Sequence, residues 1–326
     1  MKFAIIGAGR IGQVHARSVS ENPDAELTLI YDPDLGAAKL LADKHYAKAC
    51  DNEDDVFSSD IDAVIVCSPT PLHPDHVRKA VAANKAVLCE KPVAGSIEEA
   101  QALCDELKDN PNPVMLGFNR RFDPSFAKVH RMVDEGKIGK LEQLAIISRD
   151  PAAPPKEYIR VSGGIFADMT IHDFDMARFF LGEIESVYTI GQNLDPELAD
   201  TGDFDGAYVL LKNKEGVVAS IVNSRHCATG YDQRLEAFGP DGSLVADNKR
   251  PTTVQVNTRE ISAAQDPYLD FFLERYTQAF GNELAAFMKW VETGKVCGPT
   301  VEDGVKALIL AKAAEESARK GTVITL

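Results

Sequence analysis

Residues 2–16 read "KFAIIGAGRIGQVHA". A short apolar run with strand character leads into Gly7, Gly9 and Gly12, in G-x-G-x-x-G spacing, and these lead into a helical pattern. Each glycine has a separate task in such a turn. Gly7 permits the tight bend, Gly9 lets backbone approach a pyrophosphate, and Gly12 lets helix and strand pack closely. The diphosphate is expected on the N–H groups that open the helix, at Gly9, Arg10, Ile11 and Gly12. Asp32 closes the next apolar run, "LTLIYD" (27–32), 20 residues past Gly12. A carboxylate at that place accepts from adenosine ribose hydroxyls. It also repels a 2′-phosphate, and no arginine adjoins it in sequence, so NAD rather than NADP is the expected cofactor.

Working outward, the same rhythm repeats. "AVIVCSP" (63–69), "AVLCEKP" (86–92) and "VMLGFN" (114–119) read as further buried strands. Helical segments at 12–22, 35–46, 72–85 and 96–107 separate them. Continuous apolar strands alternating with helices imply a parallel sheet covered on both faces. After residue 120 the pattern changes. A helix over 124–136 leads into a strand, "EQLAIIS" (142–148), and then a helix over 165–181. Strand-like runs follow: "ESVYTIG", "GAYVLLK", "GVVASIVNS", "QRLEAFG", "SLVADN" and "TTVQVNT". "NKEG" (213–216) and "GPDG" (239–242) suit hairpins, and 270–294 and 301–320 suit closing helices. The expected fold is α/β. Residues 1–120 form a Rossmann doubly wound parallel sheet, and 121–326 an α+β domain with a large, mostly antiparallel open sheet.

Composition narrows the function. The length of 326 residues favours two domains. A formal net charge of −15 argues against nucleic acid and against an acidic membrane surface. No apolar run approaches the ~18 residues of a membrane span. The N-terminus lacks the apolar stretch of a signal peptide. The six cysteines are scattered, with no C-x-x-C pair, which suits a reducing cytoplasm and no structural zinc.

Three segments carry chemistry. "CSPTPLHPDH" (67–76) follows a strand, where loops face the ligand, and offers Ser68, Thr70 and His73 to the dinucleotide. In "CEKP" (89–92), Glu90 and Lys91 emerge from a buried strand beside the cofactor, with a proline next. A fixed Lys91 ammonium can hydrogen-bond a substrate hydroxyl and make it more acidic. "SGGIFADMTIHDFDMARFFLG" (162–182) is an apolar helix with acids through its middle. In an α-helix, Asp168 and His172 lie at i and i+4 on one face, in an apolar wall. An imidazole beside a carboxylate is a good general base. Those residues also admit a satisfied polar core or a metal site, but no second histidine sits at ligand spacing, so no metal is expected.

"GAGRIG", "CSPTPLHPDH", "EKP" and "DMTIHDFD", in that order, resemble the glucose-fructose oxidoreductase/inositol dehydrogenase (Gfo/Idh/MocA) family over the whole chain. "GFNRRFDPSFA" (117–127), residues 148–179 and "NSR…GYDQR" (223–234) are similar to bacterial myo-inositol 2-dehydrogenases. The resemblance implies NAD-dependent oxidation of a cyclic polyol, with myo-inositol as the first substrate to consider and a homotetramer as the assembly. Lys91 matches the lysine between nicotinamide ribose and substrate hydroxyl. Asp168 and His172 match the catalytic acid and base. Asn119, Arg120, Asp150 and Tyr231 fall in substrate-contacting segments. Two positions depart: Ser148 stands where some inositol enzymes carry histidine, and "HCATGY" (226–231) lacks a second tyrosine. Such contacts select among hydroxyl arrangements, so another inositol isomer or an aldose is the alternative substrate. A non-catalytic nucleotide-binding sensor is the alternative of another class, and the presence of Lys91, Asp168 and His172 together opposes it.

Overall fold

In the computed structural model, which describes residues 1–326, the first sheet begins with β1 (Lys2–Ile6), followed by α1 (Arg10–Glu21), β2 (Glu26–Tyr31) and α2 (Leu35–His45). It continues through β3 (Lys48–Cys50), α3 (Asp54–Ser58), β4 (Ala63–Val66), α4 (His73–Ala82), β5 (Ala86–Cys89), α5 (Ile97–Glu106) and β6 (Val114–Leu116). The strand order is β3-β2-β1-β4-β5-β6, and every neighbouring pair is parallel. Helices cover both faces, so Phe3–Ile6, Ala63–Val66 and Val87–Cys89 are wholly buried, as their unbroken apolar runs require. The order reverses between β1 and β4, and ligands of such sheets bind beyond the strand ends at that point. There the Cys67 N–H donates to the Ile6 carbonyl at 2.7 Å, which joins the two loops. Neither β3 nor α3 stands out in the sequence: β3, "KAC", lacks the buried apolar run of its neighbours, and the five residues of α3 are too few to show a period.

The second sheet has a different origin. α6 (Pro124–Asp134) leads to β7 (Gln143–Arg149), α7 (Lys156–Ile159) and α8 (Ile171–Leu181). The meander β8 (Ile184–Gln192), β9 (Gly206–Asn213), β10 (Val218–Ser224), β11 (Asp232–Gly239) and β12 (Gly242–Ala246) then builds an open sheet. Only β7 and β10 run parallel; the other pairs are antiparallel. Both hairpins form where the turn residues stand. Asn213 accepts from the N–H groups of Glu215 and Val217 and donates to the Leu181 carbonyl, tying one turn to the end of α8. "TTVQVNT" does not join this sheet. Only β13 (Gln255–Val256) forms there, and it pairs with β14 (Ala264–Gln265). Residues 251–262 are exposed, so that segment has no core to anchor a longer strand.

After α9 (Phe272–Arg275), the chain runs through α10 (Thr277–Thr293) and α11 (Val301–Lys320) to β15 (Ile324–Thr325), which pairs with β8. Two compact units result: residues 1–123 with 277–309, and residues 124–276 with 310–326. The sequence reading assigned 277–309 to the second domain. Leu284, Phe287, Met288 and Trp290 of α10 instead join Phe3, Ile5 and Leu27 in the core of the first unit. Helical spacing shows that this face is apolar but not which sheet it covers.

Candidate active site

The glycine turn fits a diphosphate on three separate counts. Gly7 has φ +104°, and a Cβ there would lie 2.6 Å from the Cys67 carbonyl oxygen. A Cβ on Gly12 would collide with the Gly7 carbonyl oxygen. A Cβ on Gly9 would meet nothing within 4 Å, so this position is open on the side where a pyrophosphate must approach. α1 begins at Arg10, directly after it, and no side chain caps the helix start. Asp32 braces the turn: one carboxylate oxygen accepts from the Ala8 N–H at 2.8 Å and the other from the Asp34 N–H at 2.9 Å. Each oxygen keeps a lone pair for a ribose hydroxyl.

The loop after β4 is held by two histidines. The Ser68 hydroxyl is 2.9 Å from His76 Nδ1, and His76 Nε2 is 3.2 Å from Glu53, which also pairs with Lys79 at 2.6 Å. Thr70 opens a short 3₁₀ turn over Thr70–Leu72. His73 is buried, with Nδ1 2.8 Å from the Pro92 carbonyl and Nε2 2.7 Å from the Ser68 carbonyl. Burial, the largest influence, pushes its imidazole below the usual range, while those two carbonyls oppose the shift. The sequence offered His73 as a direct cofactor contact. Both ring nitrogens instead lie within hydrogen-bond distance of a backbone carbonyl, and the neutral imidazole donates to one of the two, so His73 sits wedged between the Ser68 loop and the Lys91–Pro92 turn. That peptide bond is cis. Glu90 is buried beside it, and its carboxylate meets His15 Nε2 at 2.8 Å and the Lys91 N–H at 3.3 Å. Lys91 is half-buried. Asn119 and Arg120, both 4% exposed, occupy a 3₁₀ turn just after β6.

The second unit carries the acid and the histidine, and here the structure corrects the helix geometry. Residues 165–181 are not one α-helix. Phe166–Thr170 forms a π-helical turn, and α8 starts at Ile171. Asp168 sits within the wide turn and His172 one residue into α8, so the simple i, i+4 stacking does not apply. π-turns are rare and are frequently found at functional sites. This one is anchored from below. The Thr170 hydroxyl lies 2.8 Å from Asn223 Oδ1, and Asn223 Nδ2 donates to Asp173 at 2.9 Å and to the Ser148 carbonyl at 3.2 Å. Asp173 is therefore a satisfied core acid, whereas Asp168 and His172 are half-buried. Gly163 and Gly164, with φ +86° and +79°, make the bend that precedes the helix. Asp203 accepts from the Ile165 N–H at 3.1 Å and pairs at 3.1 Å with Arg225, which is 1% exposed.

Tyr158, on α7, donates its phenolic O–H to Asp168 Oδ1 at 3.0 Å. Sequence reading missed it. It lies ten residues upstream on a four-residue helix, and no spacing rule connects it to Asp168. Asp150 follows β7, with its N–H bonded to the Ser224 carbonyl at 2.9 Å. Tyr231 is buried edge-on against Tyr276 and Phe271, at 6.0 and 5.8 Å. Ser148 is wholly buried in hydrogen bonds with Gln233, so its hydroxyl supports the floor below this region.

A doubly wound unit with this glycine turn, continued by an open-sheet unit that presents an acid and a histidine, has the architecture of a dinucleotide-dependent oxidoreductase. Comparison with known families narrows the class. Residues 1–118 match the family described as "Oxidoreductase family, NAD-binding Rossmann fold", and residues 126–245 match the "GFO/IDH/MocA C-terminal domain". The chain belongs to the Gfo/Idh/MocA oxidoreductase family. It is 42% identical to the inositol 2-dehydrogenase of Rhizobium meliloti, over 100% of this chain and 99% of the relative. A crystal structure of a myo-inositol dehydrogenase from Corynebacterium glutamicum superposes with a TM-score of 0.97 at 50% identity, covering 100% and 98% of the two chains. A scyllo-inositol dehydrogenase from Lactobacillus casei, solved with NAD(H) and scyllo-inositol, superposes with a TM-score of 0.91 at 31% identity, again over 100% and 98%.

Proposed function

We propose that the protein is an NAD-dependent dehydrogenase that oxidises a secondary alcohol of a cyclic polyol to the ketone, with myo-inositol giving 2-keto-myo-inositol (scyllo-inosose). The observation that carries this reading is Asp168 on its π-turn with His172 at the start of α8, in a chain whose other unit holds a glycine turn shaped for a diphosphate. Full-length likeness to inositol dehydrogenases supports the substrate class.

NAD, when bound, supplies the acceptor for the carbinol hydride. Gly7, Gly9, Arg10, Ile11 and Gly12 would hold its diphosphate and Asp32 its adenosine ribose. Ser68, Thr70, Glu90 and Lys91 would line its nicotinamide end, with His73 bracing the loop. The chain's own groups manage the proton. His172 takes it from the substrate hydroxyl. Lys91, an ammonium fixed by the turn after β5, hydrogen-bonds that hydroxyl and favours its anion. Asp168, held by Tyr158, balances the charge that forms on the imidazole. Asn119, Arg120, Asp150 and Tyr231 are the proposed contacts to the remaining hydroxyls.

The sheet of the second unit supports self-association. Ile190, Tyr208, Val222 and Ile147 are cross-strand neighbours in one row over four strands. Ile190 and Tyr208 are 54% and 52% exposed, with exposed Leu210 beside them. An apolar row of this kind fits the same face of another copy, and a homotetramer is the proposed assembly. A cytoplasmic location is proposed with it, supported by six unpaired cysteines.

The residue assignment is tested by substitution. His172→Ala and Lys91→Ala are each expected to lower kcat by roughly 10²–10⁴ while the protein stays folded by circular dichroism. Near-full turnover in both folded variants would remove these residues from the chemistry.

A further inference from the structure

Glu283 lies on α10 between Phe280 and Phe287, on the face buried in the first unit. Its side chain is 0% exposed, and neither carboxyl oxygen has a hydrogen-bond partner. A charged carboxylate in such a place is strongly disfavoured, and a neutral carboxylic acid much less so. Burial first, and the field of Glu90 second, push this carboxyl well above the ordinary range.

Glu90 differs in what surrounds it. The imidazole of His15 and the N–H of Lys91 both meet its carboxylate, so a negative charge is stabilised there and not on Glu283. The site is also filled: a Cβ added at Gly117 would lie 3.0 Å from the Glu90 carboxyl carbon. His15 packs edge-on against Phe280, at 5.6 Å and one turn before Glu283 on α10, so α1 and α10 wall the same site. The other titratable groups around it are few. The thiols of Cys67, just past β4, and Cys89, at the end of β5, are pushed up chiefly by burial and stay neutral. His73 faces Glu90 and Lys91 from α4.

We propose that Glu283 is a positioning residue for Lys91: its uncharged carboxyl closes the apolar side of the Glu90 site and leaves a single negative charge, on Glu90, to fix the turn that presents Lys91. The proposal rests on the reading of Lys91 as the group that meets the substrate hydroxyl. Its physical content is the proton on Glu283. If that proton leaves, a second negative charge acts on Glu90 across a buried site, its hold on His15 and on the Lys91 N–H weakens, and Lys91 loses its support.

The test uses the full chain and three variants: Glu283→Gln, Glu283→Ala and Lys91→Ala. Glu283→Ala is expected to lower kcat by about ten- to a hundredfold, with substrate KM and NADH Kd within about twofold, whereas Glu283→Gln, which keeps shape and neutrality, restores kcat to within about threefold of the parent. Infrared spectra near neutral pH should show the C=O band of a buried protonated carboxyl in the parent, absent from Glu283→Gln. Stability gives a third readout. A carboxyl whose pKa is raised by folding lowers stability as pH climbs from the ordinary glutamate range toward the raised value. Glu283→Gln lacks that group, so its melting-temperature advantage over the parent should widen over that span. No infrared difference, or an alanine variant that is folded and fully active, overturns the proposal. If Glu283→Ala does not fold, the glutamine variant and the infrared band decide it. If Lys91→Ala is fully active, the role assigned to Lys91 falls and the positioning claim falls with it, while the band still reports separately on the proton of Glu283.

Discussion

The hydrogen bond from Tyr158 to Asp168 separates what a sequence shows from what only a fold can show. Asp168, His172 and Lys91 are visible as chemistry-bearing residues because each interrupts an apolar segment where a polar group needs a reason. Tyr158 interrupts nothing. It lies on the short helix α7, after a proline-rich stretch, and the two-glycine bend at 163–164 comes between it and Asp168. Asp203 and Arg225 are hidden for the same reason: the pair that caps the helix start joins segments 22 residues apart. Tyr158→Phe removes one donor from the acid. A bond to a charged group, discounted because Tyr158 is 48% exposed, is worth about 1 kcal/mol, so kcat should fall about fivefold with NADH affinity unchanged. Steady-state kinetics and fluorescence titration measure the two quantities. An unaltered kcat would make the contact incidental.

At the scale of elements, a strong period was legible and a local exception to it was not. Five strands of the first sheet and the helices between them stand in the sequence because burial on both faces demands unbroken apolar runs. The π-turn does not, since one inserted residue barely disturbs the apolar pattern on either side. The glycine turn is the opposite case, because each glycine meets a different constraint. Gly9→Ala adds a methyl group in open space, so folding should be unchanged while NADH affinity falls roughly tenfold or more. Gly12→Ala drives a methyl group into the Gly7 carbonyl and should cost stability, about 1–3 kcal/mol by the usual scale of overpacking. Thermal melts and NADH titrations distinguish them. Equal behaviour of the two variants would refute the separate roles.

For the whole molecule, the sequence yields the fold class but not the path of the chain. The return of α10 to the first unit depends on which sheet needs cover, and the amphipathic pattern of the helix is the same for either. The outer face of the second sheet is a similar case. Strand alternation marks Tyr208 and Leu210 as outward-facing, and only the register reveals that they join Ile190, Val222 and Ile147 in a continuous apolar surface. Tyr208→Glu places a charge in the centre of that surface and should shift the protein to smaller species in sedimentation velocity. An unchanged sedimentation coefficient would exclude this face as the interface. The central claim concerns the reaction, and NADH absorbance tests it most directly, with purified protein and myo-inositol in two parallel cuvettes, one with NAD and one with NADP. Reduction of NAD, with NADP far slower, is the expected result, because Asp32 accepts ribose hydroxyls and repels a phosphate. Equal rates with both would contradict the role of Asp32. No reduction of either, with no NADH binding by fluorescence, would contradict the dehydrogenase assignment itself.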